Sequence, residues 1–352
     1  MWSLEMLEGS LGMSFPSTNS WPICTDKVNK IRTRCRTRAN HSEGIKLLSV
    51  LAPTDAGGNP SEARNFSGSS SAPRRHTLPN PLLGRGDAVG IIGGSSVLST
   101  LVFLEKLVLW SSKGGEKSVP FVVCSDPALN KHLSLCSPFH SSRGRNVRTE
   151  LNEEAAVENL RRKRAFLEDA GAGCVVMPCH LCHVWHEEVS KGCDLPFLHV
   201  AECLARELKR ANLKPLEAGS DVRIGLLGTN AVLMSGFYQE QLQRQRSEVE
   251  NVQGFEVVLP DKATMDHIYI PAVEALHRKD IEGAQNLLRV AIQVLLIRAA
   301  NTVVLASDEL QGLLPRDDPL WKKSIDPMDA LARSAVEWAK SKGKKRHNQG
   351  EA

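Results

Sequence analysis

Val175-Val176-Met177-Pro178-Cys179-His180-Leu181-Cys182-His183-Val184-Trp185-His186 is the stretch that decides how the chain is read. Two β-branched residues read as a buried strand. Pro178 stops it, because proline has no N–H to give a sheet ladder. Cys179 therefore lands at a strand end, and a helix can start between His180 and Val189. Open α/β sheets bind ligands beyond the carboxyl ends of their strands, so a thiol stands where such a fold keeps its chemistry. The Cys-x-x-Cys-His spacing also fits covalent haem attachment, and its core fits a redox pair or half a zinc site. Zinc needs four ligands, usually from a second such pair, whereas Cys174, Cys193 and Cys203 are singly spaced. Haem needs a secreted-type context and a distal ligand, and a thioredoxin-like pair usually comes earlier in the chain. A buried structural thiol is the plain alternative, since free cysteine is among the most buried residue types. A single reactive cysteine is the favoured reading.

Working outward, 352 residues suggest two domains. The composition is globular, with 41% hydrophobic and 24% charged residues. No apolar run approaches the roughly 20 residues of a membrane span, so no membrane partner is expected. Nine cysteines without small-domain spacings indicate reduced thiols. Residues 1–80 hold 10 Lys plus Arg against 6 Asp plus Glu, and thus the whole net charge of +4. They alternate Arg32, Arg34, Arg36 and Arg38, include Ser67-Gly68-Ser69-Ser70-Ser71, and show no sustained periodicity. That suits an organelle transit peptide followed by a linker, with a plain disordered tail as the alternative that Glu5 and Glu8 favour. No aromatic residues interleave these arginines, so no nucleic-acid partner is expected.

Order begins near Asp87. Ala88 to Ile92 reads as a strand, Gly93-Gly94-Ser95-Ser96 as a turn, and Ser99 to Trp110 as a helix. The glycines let backbone approach a ligand, and the helix N-terminus offers N–H groups to an anion. The Gly-x-Gly-x-x-Gly spacing is missing, and Asp126 lies further on than the roughly 20 residues expected of a ribose acid. Val119 to Cys124 is the next strand, Leu151 to Ala170 a charged amphipathic helix, Leu195 to Val200 a short strand and Glu202 to Asn212 a helix. Then the pattern repeats. Val222 to Asn230 restates Gly90 to Ser95, and Thr302 to Asp308 restates Cys174 to His180, with the long helix Ile281 to Ala300 between them. Each half runs from a glycine turn to a strand that ends in a small nucleophile-type side chain, Cys179 or Ser307. A last helix, Met328 to Lys340, precedes a basic tail.

Two such halves facing one cleft suit removal of a Cα–H from one face of a planarising carbanion and its return on the other. A thiol serves well, because its pKa of about 8.5 falls near helix N-termini and histidines. Across residues 87–320 the chain resembles the cofactor-independent aspartate/glutamate racemase superfamily, in particular a plant organellar-type member of its amino-acid racemase branch. The opening Gly-Ile-Leu-Gly-Gly-Met-Ser and following Ser-Thr of that branch are met by Gly90 to Gly94, Ser96, Ser99 and Thr100. Its Asn-Asn-Pro is echoed by Ser125-Asp126-Pro127, and its Pro-Cys-Asn-Thr-Ala-His is met at Pro178, Cys179 and His183. Gly228, Thr229, Gly236, Phe237 and Tyr238 match its Gly-Thr and Gly-Phe-Tyr. Its second catalytic motif, Gly-Cys-Thr-Glu, stands as Ala306-Ser307-Asp308-Glu309.

The resemblance implies an α/β fold of two pseudo-symmetric domains, each with a mostly parallel sheet flanked by helices, and an active-site cleft between them. The expected boundaries are a transit-like segment and linker over 1–80, a first domain over 87–215, a second over 220–320, and a disordered tail over 341–352. The helix over 325–340 is expected to pack back on the first domain. Cys179 is the implied catalytic thiol and Ser307 its counterpart on the opposite face, in place of the second cysteine. Gly94, Ser95, Ser96, Ser125, His132, His180, Thr229, Asp308 and Glu309 are the implied substrate contacts, and His183 supports the site. No cofactor and no metal are implied. The partner is a small molecule, an amino acid or related carboxylate, with a homodimer possible; the location is the chloroplast, with mitochondrion or cytoplasm as alternatives. The departures are Ser307 for cysteine, His180-Leu181 for Asn-Thr, Asp308 for threonine, and His132 beside Lys131 where an arginine often stands. Three functions stay open: an amino-acid racemase or epimerase, a one-cysteine decarboxylase or isomerase, and a catalytically lapsed ligand-binding protein.

Overall fold

The computed structural model describes residues 86–113, 118–126, 129, 147–216, 220–247 and 254–350. The expected transit segment, His132 and residues 351–352 lie outside them. The chain builds β1 (Val89–Ile92), α1 (Val97–Ser111), β2 (Phe121–Cys124), α2 (Val147–Asp169) and β3 (Cys174–Val176). A 3-10 turn (Leu181–Trp185), α3 (His186–Ser190) and α4 (Val200–Ala211) complete this half. The second half has β4 (Val222–Gly228), α5 (Asn230–Ser235), α6 (Phe237–Ser247) and β5 (Phe255–Val258). There follow α7 (Lys262–Thr264), a π-helical turn (Met265–Tyr269), α8 (Ile270–His277), α9 (Ile281–Ile297) and β6 (Thr302–Ala306). The 3-10 turn Trp321–Lys323, β7 (Ser324–Ile325) and α10 (Pro327–Gly350) end the chain.

The two sheets repeat one order. The first runs β2-β1-β3 and the second β5-β4-β6-β7, and every pairing is parallel. In each the glycine-turn strand is central, and the strand ending in the nucleophile-type residue lies beside it. The repeat read from the sequence is thus a repeat of topology. Parallel strands buried on both faces read as continuous apolar runs, and β1, β3 and β6 are buried throughout. Side chains alternate between faces. Val89, Ile91, Cys174 and Val176 enter the large core shared with the second half, while Ile92, Val175 and Met177 enter a smaller core under α2. Cys179 continues the second series, beside Met177 and Cys182.

Three expectations change. The strand expected over Leu195 to Val200 is a single bridge, Val175 to Phe197, because Pro196 can accept from Val175 N–H (2.9 Å) but has no N–H to extend a ladder. Its end is instead taken by α4, capped by the His199 ring, which accepts from Ala201 N–H at 3.1 Å. The helix after Cys179 is broken into the 3-10 turn and the short α3. The tail expected to be disordered continues α10 to Gly350. Its lysines are good helix formers, and one interior glycine costs only about 1 kcal/mol.

The last helix packs on α1 and α4. Lys106 of α1 bonds Asp326 and Asp329 (3.2 Å to the latter). Arg210 of α4 holds Glu337 through two bonds of 2.8 Å, and Arg333 reaches Glu207 at 2.6 Å. The chain's end thus clamps the outer helices of the first half.

Candidate active site

Cys179 has no exposed surface. The glycine turn after β1 wraps it so closely that a Cβ on Gly94 would lie 2.3 Å from its Cβ, which only glycine avoids. Ser95 brings its hydroxyl to 3.5 Å from the sulfur, and Ser96 then caps α1 by accepting from Ser99 N–H at 3.2 Å. The thiol is pulled down to about 5. Cys182 contributes most through a side-chain hydrogen bond; burial opposes it, and the Ser95 N–H and O–H and the Cys182 N–H add to it. Cys182 is pushed well up by giving that bond and by burial. The Cys-x-x-Cys pair therefore divides into a thiolate and the thiol that serves it.

The second half ends differently. Ser307 is buried directly after β6, and its Oγ accepts from the Tyr269 hydroxyl at 3.1 Å. Tyr269 closes the π-helical turn, a distortion frequent at functional sites. Asp308 crosses to the first half. Its carboxylate accepts from the His180 N–H at 3.3 Å and from Gln311 at 3.4 Å, and its carbonyl accepts from the Ser99 hydroxyl at 3.3 Å. Burial holds its carboxyl protonated well above the usual carboxylate range, helped by the charge and hydrogen bond of Cys179. Glu309 is raised by burial and lies 3.9 Å from His277, on a more exposed side.

Buried histidines surround the end of β3. Burial pulls His180 down to about 3, so its ring is neutral; Nδ1 lies 2.7 Å from the Tyr238 hydroxyl and Nε2 lies 3.9 Å from Asp308. His183 donates from Nε2 to the Met177 carbonyl at 2.9 Å, fixing the end of the Cys179 strand from below. It packs with His186 and His199, ring centroids 5.7 and 4.9 Å away, and with Phe237. Among the described residues, no group of three or more His, Cys, Asp or Glu side chains is placed to hold a metal ion.

Gly94, Ser95, His180 and Asp308 thus meet at Cys179. Ser96 instead caps α1, and Thr229 caps α5 by accepting from Val232 N–H at 3.4 Å. Ser125 lies against Gly93, where a Cβ would come within 2.5 Å of its hydroxyl. One residue the sequence reading missed is Lys163. It is buried, donates to the Gly93 carbonyl at 3.2 Å, and burial pulls its pKa down against the pull of Cys182, Asp126, Cys124 and Cys179. Its signal was positional: on α2 it shares a buried face with Ala156, Leu160 and Leu167, where helical spacing calls for apolar residues.

Comparison with known proteins bears on family and fold. Residues 92–335 match the Asp/Glu/hydantoin racemase family. The broad specificity amino-acid racemase RacX of Bacillus subtilis (strain 168) is 24% identical over 166 residues, which span 46% of this chain and 63% of RacX. The chain therefore covers less than two thirds of that relative. Picrophilus torridus aspartate racemase superposes with a TM-score of 0.53 at 21% identity, over 72% of this chain and 94% of its own. An aspartate racemase homologue from Pyrococcus horikoshii OT3 gives 0.53 at 20% identity, over 72% and 99%. At such identities the structures speak for the fold, and the family match speaks for descent: the chain belongs to the Asp/Glu/hydantoin racemase family.

Proposed function

We propose that the protein is a cofactor-independent isomerase that moves a proton at the carbon next to a carboxylate, an amino-acid racemase or epimerase. The observation that carries this reading is the Cys179 thiolate, held by Cys182 and Ser95 at the carboxyl end of β3. A thiolate at neutral pH is a base without further activation. Cys179 takes the Cα proton, the electron pair of the C–H bond passes into the carboxylate, and a proton returns on the opposite face from the end of β6, where Ser307 replaces the second cysteine. The N-terminus of α1 and the Lys163 ammonium supply positive potential for the substrate carboxylate. The similarity to RacX supports an amino-acid substrate.

The ligand-binding reading draws on one observation: Asp308 closes over Cys179, which has no exposed surface. A panel of D- and L-amino acids in deuterium oxide separates the two. Deuterium at Cα with inversion supports the racemase, deuterium with retention supports a one-face isomerase, and silence throughout overturns proton transfer. We also propose that residues 1–80 are an organellar address. N-terminal sequencing of protein from its native source should find a mature chain beginning in the linker, and a start at Met1 or Trp2 overturns it.

A further inference from the structure

We propose that the second acid of this site is Asp308 rather than Ser307: its carboxyl group returns the proton to the face opposite Cys179. The inference rests on the racemase reading. Ser307 and Asp308 follow β6, and Asp308 interacts with Cys179 through charge and a side-chain hydrogen bond. Its Oδ1 accepts the N–H of His180, the residue next to Cys179, at 3.3 Å, and its carbonyl is tied to Ser99 of α1 at 3.3 Å. Ser307 is engaged by Tyr269 at 3.1 Å, within its own half. A hydroxyl is also a far weaker acid than a carboxyl.

The groups that face Asp308 agree. From the first half these are Cys179, Cys182 and the neutral His180; from the second they are Glu309, Tyr238 and Tyr269. None of them is a cation at neutral pH. Lys106, whose charge bears on His180, is paired with Asp326 and Asp329, and the Lys163 ammonium acts on Cys179 and Cys182. The region thus carries a thiolate and keeps the neighbouring carboxyl protonated. An anionic Asp308 would repel a carboxylate substrate, and a protonated Asp308 does not.

The step balances without a co-reactant. The Cys179 thiolate forms an S–H bond with the Cα hydrogen, and the C–H electrons enter the carboxylate as an enediolate. The Asp308 O–H breaks, its proton forms the new C–H bond, and its electrons remain on the Asp308 carboxylate. After product leaves, the Cys179 S–H gives its proton to Asp308, a transfer for which the two side chains already interact.

The test uses the full chain, the L-forms of the protein amino acids one at a time in deuterium oxide, and chiral separation with mass detection. Asp308→Asn should lower inversion by about 10² to 10⁴-fold and leave deuterium entering with retention, because Cys179 still takes and returns a proton on its own face. Ser307→Ala should lower inversion less than Asp308→Asn does, and a loss from Ser307→Ala equal to or larger than that from Asp308→Asn overturns the role of Asp308. Iodoacetamide labelling of Cys179 in each variant verifies that the site is formed. Asp308→Thr serves as the second variant, and unfolding of both would make Asp308 structural and overturn the proposal. Inversion that Cys179→Ser abolishes but Asp308→Asn leaves intact overturns the role of Asp308 alone. Silence of the unaltered chain, or inversion that survives Cys179→Ser, overturns the proposed function itself.

Discussion

The ends of β3 and β6 are built on one plan and finished differently. Each lies beside a central glycine-turn strand in a parallel sheet. The β3 end gathers donors around a sulfur: Ser95, Cys182 and two backbone N–H groups. At the β6 end the Ser307 hydroxyl accepts from Tyr269, and a carboxyl is sent across to the first half. The difference teaches that pseudo-symmetry of fold does not carry symmetry of charge. One half stabilises an anion, and the other supplies it with a proton-bearing neighbour. It also defines a latch. Cys179 has no exposed surface, so a substrate reaches it only when the two ends part. The bonds across the gap, His180 to Asp308, Ser99 to Asp308 and His180 to Tyr238, are worth about 0.5 to 1.5 kcal/mol each. Breaking them alone leaves an open state populated at about 0.05% to 8%, at about 1.36 kcal/mol per decade.

The comparison breaks most visibly at the sulfur. Cys179→Ser should lower isotope exchange by at least the roughly 10² to 10⁴-fold that a positioned base supplies, measured as deuterium incorporation. An equal loss from Ser307→Ala would mean that the two ends are equivalent after all. Next in size is a paired test of the glycine turns. A Cβ on Gly94 would meet Cys179 Cβ at 2.3 Å, and one on Gly228 would meet the Ala306 carbonyl at 2.5 Å. Each alanine should cost about 1 to 3 kcal/mol of stability by urea unfolding. Only Gly94→Ala should also slow Cys179 alkylation and exchange, because only there does the added methyl push on the reacting residue.

Acid sharpens the contrast in a third way. His180, His183, His186 and His199 all belong to the first half, and burial lowers every one of them; His186 stands at about 4, and His180 and His199 at about 3. Neutral when folded and protonated when unfolded, they contribute stability that is fully present above about pH 6.5 and is lost as pH falls through the folded values. Unfolding free energy should therefore drop between about pH 6.5 and pH 4. Hydrogen exchange should show β1 and β3 losing protection before β4 and β6. Simultaneous loss would mean that the shared core couples the halves into one cooperative unit.

Much of this was legible before the fold. Val175 and Val176 followed by Pro178 placed Cys179 at a strand end, and the two glycine turns gave the repeat. What escaped was whatever depends on the second half meeting the first. No periodicity reports that Asp308 reaches His180, because the contact spans residues far apart in sequence and is set by how the sheets face each other. Ser307 was legible as a residue at a strand end, but its tie to Tyr269 depends on a π-helical turn for which the sequence offered no sign. Lys163 was readable in principle, as a charge among apolar helix positions. Composition misled at the C-terminus. Lysine-rich sequence reads as a solvated tail, yet a helix already anchored by Asp326, Arg333 and Glu337 propagates through it at little cost.

The smallest expected effect isolates the donor that distinguishes the β3 end. Cys182 is the largest single cause of the lowered Cys179 thiol. A hydrogen bond to a charged group contributes about 1.5 to 3 kcal/mol, and about 1.36 kcal/mol corresponds to one pH unit. Cys182→Ala should therefore raise the midpoint of the Cys179 alkylation–pH curve from about 5 by about 1 to 2 pH units. Cys182→Ser keeps an O–H donor of similar size and should leave the midpoint low. At pH 7.5 most of the thiol is still ionised even after the larger rise, so turnover there should change little, while turnover at pH 6 should fall with the thiolate fraction. If Cys182→Ala leaves the midpoint unmoved, the thiolate is held by the Ser95 turn alone. The distinction between the two strand ends would then lie in the glycine loop of the first half and not in its Cys-x-x-Cys pair.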